Sequence, residues 1–89
     1  MRLDKFLKVS RLIKRREVAK EVIKRGDVLI NQKYAKPSSE VKIGDIITLT
    51  LGQKIIEVKV VLFLENASSY EALKMYEVLY EDYIKKEVA

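Results

Sequence analysis

The spacing of apolar residues changes at Gly26, and this change limits the folds open to the chain. Before Gly26, Leu3, Phe6 and Leu7 recur at positions i, i+3 and i+4, which is the spacing of one helix face. After it, apolar and polar residues alternate, most clearly in residues 56–60, as they do in a half-buried strand. The sequence therefore predicts an α+β fold in which two helices precede a small, mostly antiparallel sheet.

The two predicted helices occupy residues 3–9 and residues 16–25, with a connector between them. The second helix should end at Gly26, because glycine is favoured just past a helix C-terminus. Arg15 would point into the apolar stripe of this helix, so we place it at or before the N-cap. The predicted stripe consists of Val18, Ala19, Val22 and Ile23.

The rest of the chain is predicted to form a sheet followed by a helix. Strands are predicted at residues 28–30, 46–51 and 54–62, and residues 34–41 form an irregular polar stretch. Ser68 and Glu71 have the spacing of a capping box, which predicts a helix from about Tyr70 to Lys85. Its tyrosines lie among acidic residues, which favours core packing or a protein contact over base stacking. We therefore expect a domain over residues 1–65, with an acidic amphipathic helix over residues 66–89 packed on or extending it.

Charge is distributed unevenly along the sequence. Residues 1–25 hold ten Lys and Arg against three acids, whereas residues 63–89 hold three against six. This asymmetry is typical of a polyanion-binding surface. A solvated surface helix would interleave acids with the bases, and a membrane-surface helix would not be followed so soon by a structured domain. The candidate RNA-binding residues are Arg2, Lys5, Lys8, Arg11, Lys14, Arg15, Arg16, Lys20 and Lys36.

The composition argues against catalysis. The chain has no histidine and no cysteine, so the commonest general base, the thiol nucleophile and the soft metal ligands are missing. Its three glycines stand singly, so there is no glycine-rich phosphate loop. No apolar run approaches the roughly 20 residues of a membrane span, and the start lacks a signal-peptide core. We expect a cytoplasmic, non-enzymatic protein without cofactor, metal or small-molecule substrate.

An ordered set of positions resembles the alpha-L RNA-binding motif, the domain named after ribosomal small-subunit protein four. The resemblance covers about residues 1–51 and implies two packed helices, followed by a small bent antiparallel sheet. It also implies that the helix pair and the adjoining loop bind structured RNA, chiefly through phosphates. The matching residues are Arg2, Leu3, Asp4, Leu7, Arg16, Ala19, Gly26, Val28, Ile30, Asn31, Pro37, Ser38, Val41, Gly44 and Asp45.

Within that family, the chain is most similar to the group of RqcP (YabO) and heat-shock protein fifteen. The segment from Arg2 to Leu7, together with Arg11, Lys14 and Arg16, carries this closer resemblance. It implies binding to the large ribosomal subunit obstructed by peptidyl-tRNA, with contacts to both large-subunit rRNA and the tRNA. It also implies support for alanine tailing of the stalled nascent chain, beside the factor that adds the tail. We expect the chain to be a monomer.

Two positions depart from the wider motif. Arg11 stands where glycine is common, and Arg15 stands where serine or threonine would cap the second helix. Loss of such a cap typically costs near 1 kcal/mol. We expect an RNA phosphate to take up the free N–H groups instead. Arg2 and Arg16 are the first candidates for phosphate contacts, because guanidinium can bind phosphate in a bidentate manner.

Three other functions remain open on the residues alone. A related rRNA-binding factor could serve ribosome recycling or subunit assembly. A helix-turn-helix DNA-binding protein could use the same two basic helices, although the strand signals after Gly26 disfavour it. A protein-interaction module could act through the acidic, tyrosine-rich C-terminal segment.

Overall fold

Three short helices and a five-stranded sheet make up the part of the chain that the structure describes. The structure is a computed structural model, and it describes residues 1–84. None of its helices has the length and apolarity that crossing a bilayer requires. The helices are α1 (Leu3–Val9), α2 (Arg16–Lys24) and α3 (Ser69–Ala72), with a 3-10 turn over Leu73–Met75. The strands are β1 (Val28–Ile30), β2 (Lys33–Tyr34), β3 (Ile46–Leu51), β4 (Lys54–Val60) and β5 (Tyr76–Tyr83).

Helices α1 and α2 pack through the faces that the hydrophobic spacing predicts. Burying one large apolar side chain stabilises the fold by about 1.5–3 kcal/mol, so these faces hold the helix pair in place. Val18 departs from the prediction, because it lies at the edge of the α2 stripe and is 43% exposed. The buried apolar side chains of the pair are Leu3, Phe6, Leu7, Val9, Ala19, Val22 and Ile23.

Both predicted ends of α2 are confirmed. Arg15 is the N-cap residue and has an extended backbone, and its side chain makes no capping hydrogen bond. At the other end, Gly26 follows the C-cap residue Arg25 with φ of +88°, a left-handed conformation that glycine adopts at little cost. The chain can therefore leave α2 sharply and enter β1.

The sheet has the strand order β2-β1-β3-β4-β5, and all neighbouring strands are antiparallel. Asn31 and Gln32 both have positive φ, 49° and 66°, as a two-residue hairpin turn requires. Strand β2 follows this turn, and its second residue, Tyr34, lies in the stretch that the sequence predicts as irregular. The core-facing residues of the sheet are Val28, Ile47, Leu49, Ile56, Val58 and Val60.

The predicted C-terminal helix is wrong over most of its length. The capping box forms, since the Glu71 N–H donates to Ser68 Oγ and the Ser68 N–H donates to Glu71 Oε1. The helix nevertheless ends at Ala72, and after the 3-10 turn the fully buried Met75 leads directly into β5. Strand β5 pairs along the whole of β4, so the backbone groups of β4 gain partners that a helix would not supply. Lys85 lies outside the described residues.

Candidate nucleic-acid interface

A buried carboxylate joins the N-termini of α1 and α2. Asp4, in the first turn of α1, is fully buried. Arg2 donates from Nε to Asp4 Oδ1 at 3.2 Å and from Nη2 to Asp4 Oδ2 at 3.1 Å. Arg16, the first residue of α2, donates from Nη2 to Oδ1 at 3.3 Å, and the Lys5 N–H donates to the same oxygen at 2.8 Å. The carboxylate thus fixes two guanidinium groups side by side.

The electrostatics keep this carboxylate charged. Burial raises the pKa of Asp4, but the hydrogen bonds from Arg2, Arg16 and the Lys5 N–H lower it by more, so the pKa lies below its ordinary value of 3.8. One negative charge therefore stands against two positive charges at neutral pH. The Arg2 and Arg16 side chains remain 48% and 41% exposed. Each keeps N–H donors that Asp4 does not use, which suits them to an incoming phosphate.

A loop brings a further cation to the same place. The first N–H groups of α1 have no partner within the helix, and two of them bind the loop before β3. The Leu3 N–H donates to Ser39 O at 2.8 Å, and the Asp4 N–H donates to Pro37 O at 3.1 Å. These bonds hold Lys36 near Arg2. A cleft of about 490 Å³ results, and its lining is Arg2, Lys20, Lys24, Lys36, Pro37 and Ser38.

The other predicted cations fall into a second group. Lys8, Arg11 and Lys14 line a separate cleft of about 460 Å³, whose opposite wall is formed by residues 65–69. Lys5 lies close by and is engaged by Glu65 in an ion pair of 2.5 Å. Arg15 lies at the α2 N-cap beside Arg16 and lines neither cleft. Eight of the nine predicted residues thus form two cationic surfaces, and Arg15 lies between α1 and α2.

Sequence reasoning missed three contributors to this site. The first is Asp4, and an acid flanked by Arg2 and Lys5 in a basic segment is a usable sequence signal for an organising ion pair. The second is Lys24, which lies four residues after Lys20 on α2 and lines the first cleft but is not among the predicted residues. Asn66 could not have been found, because only the fold brings it opposite the cations of α1.

The described residues offer no metal-binding alternative at this surface. Across residues 1–84, no group of three or more His, Cys, Asp or Glu side chains is placed to hold a metal ion. What the geometry supplies is a set of positioned cations and hydrogen-bond donors, and such a set binds polyanions.

Comparison with known proteins identifies relatives for the whole arrangement. The S4 domain family matches residues 1–47. The RQC P-site tRNA stabilizing factor of Bacillus subtilis is 52% identical over 82 residues, which cover 92% of this chain and 95% of that protein. Its counterpart in Listeria innocua is 50% identical over 92% of this chain and 89% of its own length. Among solved structures, trimeric heat shock protein 15 of Vibrio cholerae is similar, with a TM-score of 0.83, 33% identity, and coverage of 88% of this chain and 80% of that one.

Proposed function

Because the chain belongs to the S4 domain family and to its RqcP and heat-shock protein fifteen group, we propose that it is an RNA-binding factor of ribosome-associated quality control. It binds the obstructed large ribosomal subunit and contacts large-subunit rRNA and peptidyl-tRNA. In this way it supports alanine tailing of the stalled nascent chain. The Bacillus and Listeria relatives are named RQC P-site tRNA stabilizing factor, which supports the tRNA contact.

The observation that carries this proposal is the pair of guanidinium groups held by Asp4. Arg2 and Arg16 present positioned donors at a half-exposed surface, so they lose little conformational freedom when they bind phosphate. Lys20 and Lys36 extend this contact, and an RNA phosphate occupies the uncapped N-terminus of α2 beside Arg15. Lys5, Lys8, Arg11 and Lys14 extend the surface along the other cleft.

The proposed mechanism is binding without catalysis. Phosphate contacts carry little sequence information, so selectivity comes from RNA shape and from touching two RNAs at once. The protein acts as a monomer in the cytoplasm and needs neither cofactor nor metal for this task. The sheet that follows α2 directly, together with the S4 domain match, disfavours the helix-turn-helix DNA-binding alternative.

The test is co-sedimentation with three particles: large subunits carrying peptidyl-tRNA, empty large subunits and whole ribosomes. We expect preference for the tRNA-bearing large subunit and loss of that binding in Arg16→Ala. The matched control is Arg25→Ala, which removes an equal charge from the other end of α2, where Arg25 pairs with Asp27 at 2.8 Å. This control should keep nearly full binding.

Two results would contradict the proposal. Equal binding to empty large subunits would favour a role in recycling or subunit assembly. Equal losses in Arg16→Ala and Arg25→Ala would mean that total charge, and not the Asp4-centred pair, controls binding. Alanine tailing is measured separately, as the extension of a stalled nascent chain in a reconstituted system, and the result with the protein is compared with the result without it.

A further inference from the structure

The cleft between the end of α1 and residues 65–69 has two chemically different walls. One wall carries the cations Lys8, Arg11 and Lys14. The other presents the Asn66 amide and the polypeptide backbone at Ala67. The volume of about 460 Å³ lies within the range of small-molecule sites, and it is far larger than one phosphate group requires.

The cationic wall keeps its positive charge. Among residues 1–84, Lys8, Arg11 and Lys14 make no ion pair with a carboxylate. The acid that lines the cleft, Glu65, is already engaged by Lys5, whose hydrogen bond and charge lower the pKa of Glu65. An anion entering the cleft therefore meets three cations and one carboxylate whose charge is partly offset by Lys5.

The backbone at Arg11 is held in a conformation that arginine rarely adopts. Its φ is +61°, in the left-handed region that favours glycine. This conformation directs the guanidinium across the cleft, where Nη2 donates to Ala67 O at 3.2 Å. The strained residue thus links the two walls and presents its remaining N–H donors to the space between them.

The opposite wall is anchored and polar. Phe63 packs edge-to-face on the buried Phe6, with ring centroids 6.1 Å apart, so the segment that follows it is tied to the core. The Asn66 side chain offers both a donor and an acceptor, and among the described residues it makes no hydrogen bond. Ser69 adds a hydroxyl at the same edge. A base edge needs such neutral, mixed groups, whereas a bare anion does not.

We propose that this cleft holds one unpaired RNA nucleotide, with its phosphate on Lys8, Arg11 and Lys14 and its base edge on Asn66 and the Ala67 backbone. Unstacked bases of single-stranded loops and bulges are the usual targets of sequence-selective RNA recognition. This inference rests on the proposed RNA-binding function and adds to it a site at which one base is recognised.

The test is a titration of the ¹⁵N-labelled full chain with adenosine and uridine 5′-monophosphates, followed by amide NMR shifts. We expect saturable shifts concentrated in residues 8–14 and 65–69. Inorganic phosphate and the parent nucleosides should bind at least tenfold more weakly than the better nucleotide. Asn66→Asp, which places a carboxylate opposite the cations, should weaken nucleotide binding at least tenfold. The matched control Gln53→Glu makes the same amide-to-acid change at the exposed β3–β4 turn and should leave it unchanged.

Three results would overturn the proposed nucleotide site. The first is equal affinity for inorganic phosphate and for the nucleotides. The second is amide shifts confined to residues outside 8–14 and 65–69, and the third is unaltered nucleotide binding in Asn66→Asp. Co-sedimentation with large subunits is measured on the same samples. Retained sedimentation without nucleotide shifts counts against the cleft alone, whereas absent sedimentation counts against the RNA-binding function itself.

Discussion

Replacing Asp4 with asparagine tests the central feature of the interface, because the change removes one charge and almost no volume. The Asp4 carboxylate accepts three hydrogen bonds from Arg2 and Arg16 and one from the Lys5 N–H. Asparagine keeps one oxygen, which can take the place of Oδ1, so the Arg2 bond to Oδ2 is lost outright and the remaining bonds accept from a neutral oxygen instead of a carboxylate. A hydrogen bond to a charged group is worth about 1.5–3 kcal/mol. Because both arginines are nearly half exposed, water replaces part of this loss. We expect a net destabilisation of about 2 kcal/mol, or roughly 8–16 °C in Tm.

The same substitution should weaken RNA binding, although it makes the protein more positive. Arg2 and Arg16 would no longer be held in place, and ordering each of them on RNA costs about 0.5–1.5 kcal/mol. The sum is about 1–3 kcal/mol, which corresponds to a loss of roughly 5- to 150-fold in affinity. Simple electrostatics predicts the opposite sign, because Asp4→Asn adds one unit of positive charge. The assays are urea unfolding and equilibrium binding to the large subunit at one fixed salt concentration.

Glu21→Gln is the matched control, since Glu21 is exposed on α2 and its replacement adds the same charge. It should change the free energy of unfolding by less than about 0.5 kcal/mol and leave RNA binding equal or slightly tighter. The reasoning is refuted if Asp4→Asn behaves like Glu21→Gln in both assays. It is also refuted if Asp4→Asn binds RNA more tightly than the unmodified chain, because charge would then outweigh positioning.

Three further predictions follow from the same geometry. Leu7→Ala, which empties a fully buried site, should lower the free energy of unfolding by about 2–5 kcal/mol, and unchanged stability in urea would contradict the assigned α1 face. Since the folded pKa of Asp4 is lowered, its stabilising contribution is present above the ordinary pKa of 3.8 and is lost as the pH falls through the folded value. The difference in unfolding free energy between the unmodified chain and Asp4→Asn should therefore narrow below pH 3.8, as measured by urea unfolding at a series of pH values. If roughly five phosphates are contacted, log affinity should fall with log salt at a slope of about −3.5 to −4.5, and a slope near zero in a salt series would exclude the phosphate contacts.

The N-terminal half of the fold could be predicted because its signals are local. Leu3, Phe6 and Leu7 define the buried face of α1 within five residues, and Gly26 ends α2 through its own backbone freedom. Such features need no knowledge of distant partners. The candidate cations could be proposed for the same reason, since a basic helical segment is visible in the sequence itself.

The C-terminal segment could not be predicted in this way, because its structure depends on β4. Residues 76–83 carry apolar side chains at a spacing that fits one face of a helix, and Ser68 caps a helix just before them. The pairing of β5 with β4 outweighs that local preference, and a bulge between Glu57 and Val58 shifts its register. The cleft lined by Lys8, Arg11 and Lys14 could not be predicted for a related reason. Asn66 and Arg11 line the same cleft only because the fold returns the chain to the end of α1.

The position of Asp4 explains why a surface of this kind can be selective. A cluster of free lysines and arginines attracts any polyanion, and its side chains become ordered only on binding. Here one buried carboxylate cancels a single charge and in return fixes the separation of two guanidinium groups carried by different helices. Two phosphates can then be bound together only where the RNA backbone presents them at a matching separation. If Arg2 and Arg16 bind phosphate as proposed, the interface has a lower general affinity for polyanions and a stronger dependence on RNA shape.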